Sequence, residues 1–363
     1  MKHIALPQNT QRRLVWYLAM EEFVAANLTA LVPPSAIGER EAFFLWQVPP
    51  TVIFGRNQVM EAEVNLSYCK AHDIKFFRRK SGGGCVYADM GNVMLSYVCD
   101  NTDVAFTFSR FLNLVALALR RLGVPAEKSG RNDVMIGGRK VSGNAFTLLP
   151  KGSIVHGTMM YDVDFEALQK AITPSAGKIS SKGVDSVRSH VTNLKEELEA
   201  VGRPVGLEAF KNHLIKFFCT DDNGKLDQIV LSDSDMAEID RLEQAYLDPA
   251  FLEGRHHSYS VSFGGRVEGV GEVKVNVGLG KEMPDQVGHD GSPVIESVGL
   301  EGDFFQTGEA SKALEAAVKG LPLEKDAIGN ALKNKDLGIL GLAGEDLLRI
   351  MFPSAEQNNK ITK

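Results

Sequence analysis

The sequence predicts an α+β protein built from two domains. Its 363 residues provide enough material for two domains. Short apolar runs broken by proline and glycine alternate with longer segments in which apolar residues recur at helical spacing, which indicates strands and helices in mixed order. Near Asp248 the sequence changes to a glycine-rich, alternating pattern. We therefore predict a larger domain over residues 1–248 and a smaller α+β domain over residues 249–363.

The strands predicted in the larger domain are short apolar runs bounded by turn residues. Residues 42–58, "AFFLWQVPPTVIFGRNQ", contain two such runs separated by Pro49 and Pro50, and predict a strand, a turn and a second strand. Gly137 and Gly138 separate two further runs and predict a hairpin. The two runs of this hairpin are residues 133–136 and 139–146. The remaining predicted strands cover residues 74–79, 93–99 and 152–163.

The predicted helices carry apolar residues three and four positions apart. The first covers residues 13–29 and includes Glu21 and Glu22. A clearly amphipathic helix over residues 108–124 is stopped by Gly123. The other predicted helices are residues 164–172, a stretch that ends near residue 219, residues 232–247 behind cap-like Asp and Ser residues, and, in the smaller domain after β structure at 259–280, residues 303–321 and 344–352.

The composition excludes several classes of function. A formal net charge of −6 does not favour binding to nucleic acid through neutralised phosphates. Four cysteines without a CxxC pair give no support for a zinc cluster and fit a reducing compartment. The first helix carries acidic residues and is unlike a signal peptide, and no apolar run reaches membrane-spanning length. We expect a cytoplasmic protein with no nucleic-acid and no membrane partner.

A basic, glycine-rich segment is the first candidate for a ligand site. Residues 78–93 read "RRKSGGGCVYADMGNV". Gly82–Gly84 allow backbone N–H groups to approach a ligand closely, and Arg78 and Arg79 supply permanent charge on planar forks. The segment indicates a cradle for a phosphate or an acyl phosphate, and the alternative is a glycine turn with solvated bases. Its spacing matches neither GxGxxG nor the P-loop.

The hairpin over residues 130–146, "GRNDVMIGGRKVSGNAF", is the second candidate. Lys140 is followed by small residues, so its side chain could extend across a pocket and hold a carboxylate and a phosphate together as charge develops. Asn132 and Asp133 precede the hairpin, and Asp133 could orient the lysine or bind Mg²⁺. The alternative is a solvated lysine in a surface hairpin.

Three further residues or segments carry weaker signals. His156 in "HGTMM" is a lone histidine, for which a packed structural role is the alternative to catalysis. The polar segment that contains Lys182 and Arg188 could close over a bound anion or be a solvated linker. Cys85 adjoins the glycines and could act as a nucleophile, although no histidine follows it closely in the sequence and a small buried thiol is the alternative.

Taken in order, these segments resemble the lipoate–protein ligase A family. The resemblance rests on "LWQVPPTVIFGRNQ", "RRKSGGGCVYADMGNV", "GRNDVMIGGRKVSGNAF", "HGTMM" and "KGVDSVRSHVTNL", and on "VKVNVG" and "GLEGDFF" in the second half. It is similar to the two-domain bacterial form over nearly the whole chain. It implies a monomer with a large catalytic domain, in which helices flank a mixed β-sheet related to that of biotin–protein ligases, and a small α+β accessory domain.

The resemblance also implies a reaction in two steps. Lipoate and ATP, with Mg²⁺, give lipoyl-AMP and pyrophosphate. The lipoyl group then passes to a lysine on a lipoyl-acceptor domain of a 2-oxoacid dehydrogenase or on the glycine-cleavage H protein. Because a carboxylate is a poor electrophile, the first step converts it into a mixed anhydride.

The resemblance assigns roles by matching positions, with Lys140 as the catalytic residue. The ATP contacts fall on Arg79, Gly84, Cys85, Val86, Tyr87, Asn132, Asp133 and Lys140. The lipoate contacts fall on Arg79, Ser81, Gly83, Lys140 and His156. Lys182 and Arg188 belong to the loop expected to close over the adenylate, and Asp133 is the candidate Mg²⁺ ligand. The chain departs from the pattern at Ala88, where many relatives have His, at His190, where an arginine is common, and at the junction "DPAFLEGR".

Three alternative functions remain open from the sequence. A cysteine-dependent octanoyl or lipoyl transferase of the same superfamily would need a nucleophile, for which only Cys85 is close to the glycines. A biotin–protein ligase is disfavoured because the chain lacks a GRGRxGR-type loop. A non-catalytic lipoate-binding protein is disfavoured by the presence of Lys140.

Overall fold

The structure, a computed structural model, describes residues 1–8, 11–35, 38–130, 132–172, 190–221, 223–254, 259–280 and 293–353. The chain forms two compact units. The first comprises Met1–Arg56, Met60–Ser81 and Cys85–Glu253, and the second comprises Asn57–Val59, Gly82–Gly84 and Gly254–Lys363. The assignment of separate functions to residues 1–248 and 249–363 stays a prediction.

Most of the strands belong to the first unit. They are β1 Lys2–Ala5, β2 Glu41–Trp46, β3 Thr51–Phe54, β4 Lys75–Arg78, β5 Val86–Ala88, β6 Asn92–Cys99, β7 Ala126–Lys128, β8 Asp133–Ile136, β9 Arg139–Leu149, β10 Gly152–Met160 and β11 Gln228–Val230. The second unit contributes β12 Val261–Val267, β13 Gly271–Gly280 and β14 Val294–Gly302.

The helices are of very different lengths. Those of the first unit are α1 Leu14–Ala26, α2 Leu28–Leu31, α3 Met60–Glu63, α4 Leu66–Ala71, α5 Val104–Arg121, α6 Phe165–Ala171, α7 Leu194–Ala200, α8 Leu207–Cys219, α9 Asp233–Leu247 and α10 Pro249–Glu253. Those of the second are α11 Ala310–Val318, α12 Lys325–Leu332 and α13 Gly344–Met351. Among the helices of the described residues, none combines the length and apolar character needed to cross a membrane.

A mixed eight-stranded sheet forms the centre of the first unit, in the order β11-β1-β2-β6-β10-β9-β8-β7. β1 pairs in parallel with β2 and with β11. All other neighbouring strands of this sheet, from β2 to β7 in the order given, pair antiparallel. A smaller sheet has the order β4-β3-β5, with β3 parallel to β4. This architecture, with helices beside mixed sheets, confirms the predicted α+β class.

Helix α1 packs on the central sheet with almost its whole circumference buried. Side chains from Leu14 to Val24 belong to a cluster that also includes Phe44, Val98 and Ile154 of the sheet. A helix that is apolar all round is typically buried, and α1 follows this rule. Glu21 is the unusual residue, because it is acidic and yet only 2% exposed. A carboxylate in this environment requires partners, and those partners are part of the candidate site.

The second unit has a core of its own. The antiparallel strands β12, β13 and β14 form a three-stranded sheet in that order. Valines on one face of β13 and buried residues of α11, α12 and α13 form a separate hydrophobic cluster. This confirms the predicted β structure over residues 259–280 and the predicted α+β character of this part.

The structure corrects several predicted elements. Residues 303–309 were expected to be helical, but helix α11 begins only at Ala310, because Phe304 and Phe305 pack in the interior and Gln306 bridges to Ile339. The short strands β1, β7 and β11 were not predicted. Each has only three or four residues, too few for a clear alternating pattern.

Candidate functional site

An irregularity between β8 and β9 determines where Lys140 lies. Val134 is opposite Ser142, whereas the next residue on β8, Met135, is opposite Lys140. Val141 is therefore an extra residue in β9. An extra residue reverses the alternation of side chains along a strand, so Lys140 and Ser142 lie on opposite faces although two positions separate them.

The reversed alternation brings Lys140 onto the same face as three other positions. Gly143 and Ala145 share that face on β9, and Ala145 is directly opposite His156 on β10. Asp133 is opposite Gly143 at the start of β8. The sheet therefore presents Lys140, Asp133 and His156 on one face.

Lys140 and Asp133 form an ion pair on this face. The Nζ of Lys140 lies 2.8 Å from Oδ1 of Asp133, and the side chains are 33% and 27% exposed. The ammonium group is held in place yet remains accessible. The backbone of Lys140 is also fixed, because its N–H donates to His190 O at 2.8 Å and its carbonyl accepts from Thr192 N at 2.9 Å. His190, the first residue of the described range 190–221, therefore lies directly beside Lys140. Lys182 and Arg188 of the predicted closing loop lie outside the described residues.

Asn132 fastens the base of the same hairpin. Its Nδ2 donates to Asn144 O at 2.9 Å, and its carbonyl accepts from the backbone N–H of Asn144 at 3.0 Å and from the Asn144 amide at 3.1 Å. Asn132 therefore holds the segment from which Asp133 projects. Its side-chain amide is committed to the protein backbone.

The two arginines after β4 have different environments. Arg78 donates to the carbonyl oxygens of Arg56 at 2.9 Å and Leu252 at 3.1 Å, and its guanidinium lies 4.7 Å from the centre of the Phe54 ring. Burial lowers the pKa of Arg78 to about 10. Arg78 ties chain segments together and is not a solvated base.

Arg79 points into the interior beside a serine. Its Nε donates to Oγ of Ser81 at 3.0 Å, and one terminal nitrogen donates to Ile53 O at 3.2 Å. Burial lowers the pKa of Arg79 to about 10, which still leaves the guanidinium charged at neutral pH. The structure therefore maintains a cation in a desolvated position, where it interacts strongly with any anion that reaches it.

Arg79 and Ser81 line a small pocket between α1, α9 and the central sheet. The charged and polar part of its wall consists of Glu21, Glu22, Arg79, Lys80, Ser81 and His156. The rest consists of Leu18, Thr147, Ile154 and Tyr246. Of the predicted site residues, Arg79, Ser81 and His156 are thus brought together in one pocket. Lys140 and Asp133 lie along the same face of the sheet but are not part of this wall.

A chain of hydrogen bonds crosses the pocket wall from helix α1 to Arg79. Glu21 accepts from Ser96 Oγ at 2.5 Å through one carboxylate oxygen and lies 2.7 Å from Nδ1 of His156 through the other. The Nε2 of His156 lies 2.7 Å from Oγ of Ser81. Because an ionised carboxylate can only accept, Nδ1 of His156 carries a hydrogen. In the neutral imidazole Nε2 then accepts, so the Ser81 hydroxyl donates to His156 while it accepts from Arg79.

The adjacent acid on α1 forms a second cluster. Glu22 pairs with the Nζ of Lys80 at 2.8 Å and accepts from the hydroxyl of Tyr246. The Lys80 ammonium also lies 4.6 Å from the centre of the Tyr246 ring. Glu22 therefore contacts Lys80 directly, whereas Glu21 is linked to Ser81 only through His156.

The glycine run and the residues after it contribute mainly backbone. Gly83 has a φ of +89°, which favours glycine, and a Cβ added at Gly84 would meet no heavy atom within 4 Å. Tyr87 is 3% exposed and packs in a hydrophobic cluster that Cys85 borders, while Val86 packs against the cluster around α1. Any contact of Tyr87 with a nucleotide would have to come from its main chain.

Cys85 is in the wrong electrostatic state for a nucleophile. Burial, together with the charge of Glu63, raises the pKa of the Cys85 thiol, and Arg79 offsets this only in part. The thiolate is the reactive form of cysteine. The environment therefore favours the small packed thiol that was the alternative interpretation.

Asp133 could bind a metal ion only together with other ligands. Within the described residues no group of three or more His, Cys, Asp or Glu side chains could hold a metal. Mg²⁺ is usually bound by one or two carboxylates together with substrate phosphates. Asp133, a single carboxylate paired with Lys140, could therefore supply one protein ligand to such an ion.

The sequence did not reveal Glu21, Glu22 and Tyr246 as site residues. The only signal was the occurrence of two acids within an otherwise apolar helix, which indicates that at least one of them is buried with partners. Those partners, Ser96 and His156, come from strands far away in the sequence. No local pattern could identify them.

Comparison with known proteins gives a consistent family assignment. Residues 16–219 match the family model described as "Lipoyl protein ligase A/B catalytic domain". The chain is 35% identical over 324 residues to "Lipoate--protein ligase 1" of Staphylococcus aureus, covering 88% of this chain and 90% of that protein.

Solved structures share the fold. The structure of Plasmodium falciparum LipL1 in complex with lipoate aligns with a TM-score of 0.71 and 18% identity, over 99% of this chain and 98% of that chain. A lipoate–protein ligase A bound with ATP aligns with a TM-score of 0.55 and 22% identity, over 69% of this chain and 98% of that chain. The residues that match the family model, 16–219, include the glycine run, the Lys140 hairpin and His156. By these matches and by its fold, the chain belongs to the lipoyl protein ligase A/B catalytic-domain family.

Proposed function

We propose that the protein is an ATP-dependent lipoate–protein ligase. In the first step lipoate and ATP form lipoyl-AMP and pyrophosphate, and in the second the lipoyl group is transferred to a lysine of an acceptor domain. The observation that carries the proposal is the arrangement of Lys140 and the pocket of Arg79, Ser81 and His156 along one face of the central sheet. Relatives with this fold are named as lipoate ligases, and solved structures among them are described with lipoate and with ATP.

Charge is the main obstacle in the first step, and the site is built to offset it. The carboxylate that attacks and the triphosphate that is attacked are both anionic and repel each other. Lys140, paired with Asp133 on the same face of the sheet, and Arg79, buried in the pocket wall, would provide two fixed cations for the developing charge. Because both are held before the substrates arrive, little reorganisation accompanies the reaction.

The nucleotide would lie along the glycine run. Gly84 has no side chain that would obstruct the approach of phosphates to the main chain, whereas the N–H of Gly83 already donates to Phe304 O at 3.3 Å. The residues after them, Cys85 to Tyr87, would contribute backbone groups. Asp133 would share Mg²⁺ with the phosphates, while Asn132 keeps Asp133 in position.

The acyl chain would occupy the pocket beneath helix α1. Leu18 and Ile154 supply apolar contacts there, and Thr147 supplies its methyl group. Burial of each methylene contributes ~0.8 kcal/mol, so four of them contribute roughly 3 kcal/mol. Ser81 and His156 supply the polar contacts that fix the orientation of the ligand.

The second step requires a protein acceptor. The acceptor lysine attacks the carbonyl carbon of the adenylate, the new amide bond forms, and AMP leaves with the electrons of the cleaved carbon–oxygen bond. We propose lipoyl-acceptor domains of 2-oxoacid dehydrogenases and the glycine-cleavage H protein as acceptors, and a monomer as the working form. Lys182 and Arg188 would close over the adenylate.

The alternatives have less support. A cysteine-dependent transferase needs a thiolate, and burial raises the pKa of Cys85. A biotin–protein ligase would need a different recognition loop. A lipoate-binding protein without catalysis would not require Lys140 to be held at the rim of the site by Asp133 and by the His190 backbone.

The decisive experiment measures pyrophosphate release with lipoate and MgATP, and the mass of an apo lipoyl domain added afterwards. We expect release that depends on lipoate, followed by a lipoyl mass shift on the acceptor. Lys140→Ala should abolish adenylate formation, because it removes the cation between the carboxylate and the phosphate. Lys151→Ala, an exposed lysine in the turn after β9, is the matched control and should keep full activity.

Three outcomes would count against this assignment. Acceptor modification without ATP would favour a transferase. Lipoate binding without pyrophosphate release would indicate a binding protein. Adenylate formation at the wild-type rate by the Lys140→Ala variant would refute the role given to that lysine.

A further inference from the structure

Ser81 is in a position to couple the binding of an anion to the uptake of a proton. A hydroxyl group can donate one hydrogen bond and accept two. The Ser81 Oγ accepts from Nε of Arg79 at 3.0 Å and lies 2.7 Å from Nε2 of His156. When the His156 ring is neutral, with its hydrogen on Nδ1, Ser81 gives its only hydrogen to Nε2 and keeps one further acceptor position on the oxygen.

This arrangement of hydrogen bonds, with a neutral His156, is poorly matched to a carboxylate ligand. A carboxylate has only acceptors, so a Ser81 oxygen that has given its hydrogen to His156 would face it acceptor to acceptor. Protonation of His156 reverses the direction of the bond. The imidazolium then donates to Ser81 through Nε2, and the Ser81 hydrogen becomes available for the ligand. In this arrangement all three hydrogen-bonding positions of the hydroxyl are used.

Glu21 stabilises the protonated form of His156 in the protein interior. Its carboxylate lies 2.7 Å from Nδ1 of His156, is 2% exposed, and is held by Ser96 Oγ at 2.5 Å. A buried imidazolium is stable only beside a counter-charge, and Glu21 supplies one at hydrogen-bond distance. The charged and titratable groups around His156 are Glu21 and Glu22 on α1, Arg79 and Lys80 after β4, and Tyr246 on α9.

We propose that His156 takes up a proton when an acyl carboxylate binds beside Ser81, with Glu21 as the counter-ion. The proton comes from solvent and resides on Nε2, and Ser81 donates its own hydrogen to the carboxylate. Glu21 is a positioning residue in this proposal, because it acts through His156. The inference rests on the proposed function, since it places the carboxylate of lipoate at the pocket that contains Ser81.

Calorimetry of the whole protein measures this coupling directly. Lipoate is titrated at a fixed pH of about 8. The titration is repeated in buffers of the same pH with different ionisation enthalpies. The dependence of the observed enthalpy on the buffer gives the number of protons taken up, and we expect about one proton per bound lipoate. Octanamide, which has an acyl chain but no carboxylate, should bind with no uptake.

Three variants separate the coupling from a general effect on the pocket. Glu21→Gln removes the counter-ion and should reduce the uptake to near zero. Ser81→Ala removes the hydroxyl and should do the same with a minimal change in volume. Glu22→Gln changes the adjacent acid, which pairs with Lys80 and Tyr246 and not with His156, so the uptake should persist.

The KM for lipoate in the pyrophosphate assay provides a second readout. Because binding takes up a proton, the KM of the wild type should rise as the pH rises. Glu21→Gln should flatten this profile, whereas Glu22→Gln should retain it.

The outcomes distinguish this inference from the proposed function. Saturable lipoate binding with equal enthalpy in all buffers, or a pH-independent KM, overturns the proton uptake while pyrophosphate release still supports the ligase. If lipoate neither binds nor elicits pyrophosphate release, both the ligase assignment and the coupling fail. Unchanged uptake in Glu21→Gln overturns the role given to Glu21.

Discussion

Gly143 determines how far the ammonium group of Lys140 can fold over β9. A Cβ added at Gly143 would lie 2.6 Å from both Cε and Nζ of Lys140, and 3.7 Å from Oδ1 of Asp133. The backbone of Gly143 does not have a positive φ, so an alanine would cause no backbone strain there. The close contacts involve the far end of a flexible side chain, which can move.

We expect Gly143→Ala to separate stability from activity. The methyl group should displace the Lys140 ammonium from its position beside Asp133 and lower lipoate-dependent pyrophosphate release by about tenfold or more, equivalent to ~1.4 kcal/mol in the barrier. The melting temperature should change little, because only a flexible side chain has to move. A steady-state assay and thermal unfolding of the same preparation test both parts.

Gly264→Ala is the matched control for this substitution. Gly264 also lies in a strand, and a Cβ added there would meet no heavy atom within 4 Å. Its activity and melting temperature should equal those of the wild type. Full activity of Gly143→Ala would show that the placement of Lys140 beside Asp133 does not matter for catalysis.

The sequence was informative about residues whose chemistry is visible in their own neighbourhood. Lys140 could be singled out because small residues follow it, and the glycine run because adjacent glycines are costly to order. Glu21 could not, because its importance depends on His156 and Ser96, which lie 135 and 75 positions away. The face on which Lys140 lies could not be predicted either, because the extra residue at Val141 depends on pairing with β8.

At the scale of elements, helix α9 supports the pocket from outside the sheet. Tyr246, in its last turn, lines the pocket, and Asp240 in its middle accepts from Nε1 of Trp16 on α1 at 2.7 Å. The helix begins with a capping box, in which the Asp235 N–H donates to the Ser232 hydroxyl and the Ser232 N–H donates to the Asp235 carboxylate. The cap is more than two turns from the pocket residue.

We expect Ser232→Ala to lower the free energy of unfolding by ~1 kcal/mol without affecting the KM for lipoate. The substitution leaves an N–H group of the first turn without its side-chain acceptor. Chemical denaturation gives the free energy, and the pyrophosphate assay gives the KM. Ser232→Thr keeps a hydroxyl at the cap and should lose much less stability. Equal losses in the two variants would mean that the cap is not the source of the effect.

Predictability differed between elements for physical reasons. Helices with a long apolar stripe, such as α5 and α9, are visible because their periodicity extends over several turns. Edge strands such as β11 are held by pairing with β1 and contain only three residues. The segment 303–309 was predicted to belong to the helix that follows it, but it contains weak helix formers, and burial of Phe304 and the bridge from Gln306 to Ile339 hold it outside the helix.

At the scale of the whole molecule, each of the two units has a hydrophobic core of its own. A core of the first unit lies between α1 and the central sheet, and that of the second is made by β12–β14 and α11–α13. Leu14 and Leu314 are the equivalent test residues, because both are 1% exposed and each belongs to one of these cores. Truncation of a buried leucine to alanine costs about 3 kcal/mol, through lost contacts and the cavity that remains.

We expect Leu14→Ala and Leu314→Ala to lower different transitions in calorimetry. Leu14→Ala should shift the transition of the first unit, and Leu314→Ala that of the second, since each removes contacts from one core only. Pyrophosphate release monitored during heating should be lost with the first transition. A single transition that both variants lower equally would show that the two units unfold as one, contrary to the predicted domain division.

The division at Asp248, drawn from the change in sequence character, stays a prediction. The two compact units of the structure meet along the chain between Glu253 and Gly254. Composition could not indicate that Asn57–Val59 and Gly82–Gly84 belong to the second unit, since they lie more than 160 positions upstream. Such membership depends on tertiary packing.

The extra residue in β9 sets how many positions separate the lysine from the glycine over which its ammonium group folds. In a regular strand, residues three positions apart such as Lys140 and Gly143 belong to opposite sides of the sheet. The bulge at Val141 lets both lie on one side, so the ammonium can occupy the place that a side chain at position 143 would fill. A strand shortened by Val141 would bring the same two residues to one side by ordinary alternation, with no bulge at all.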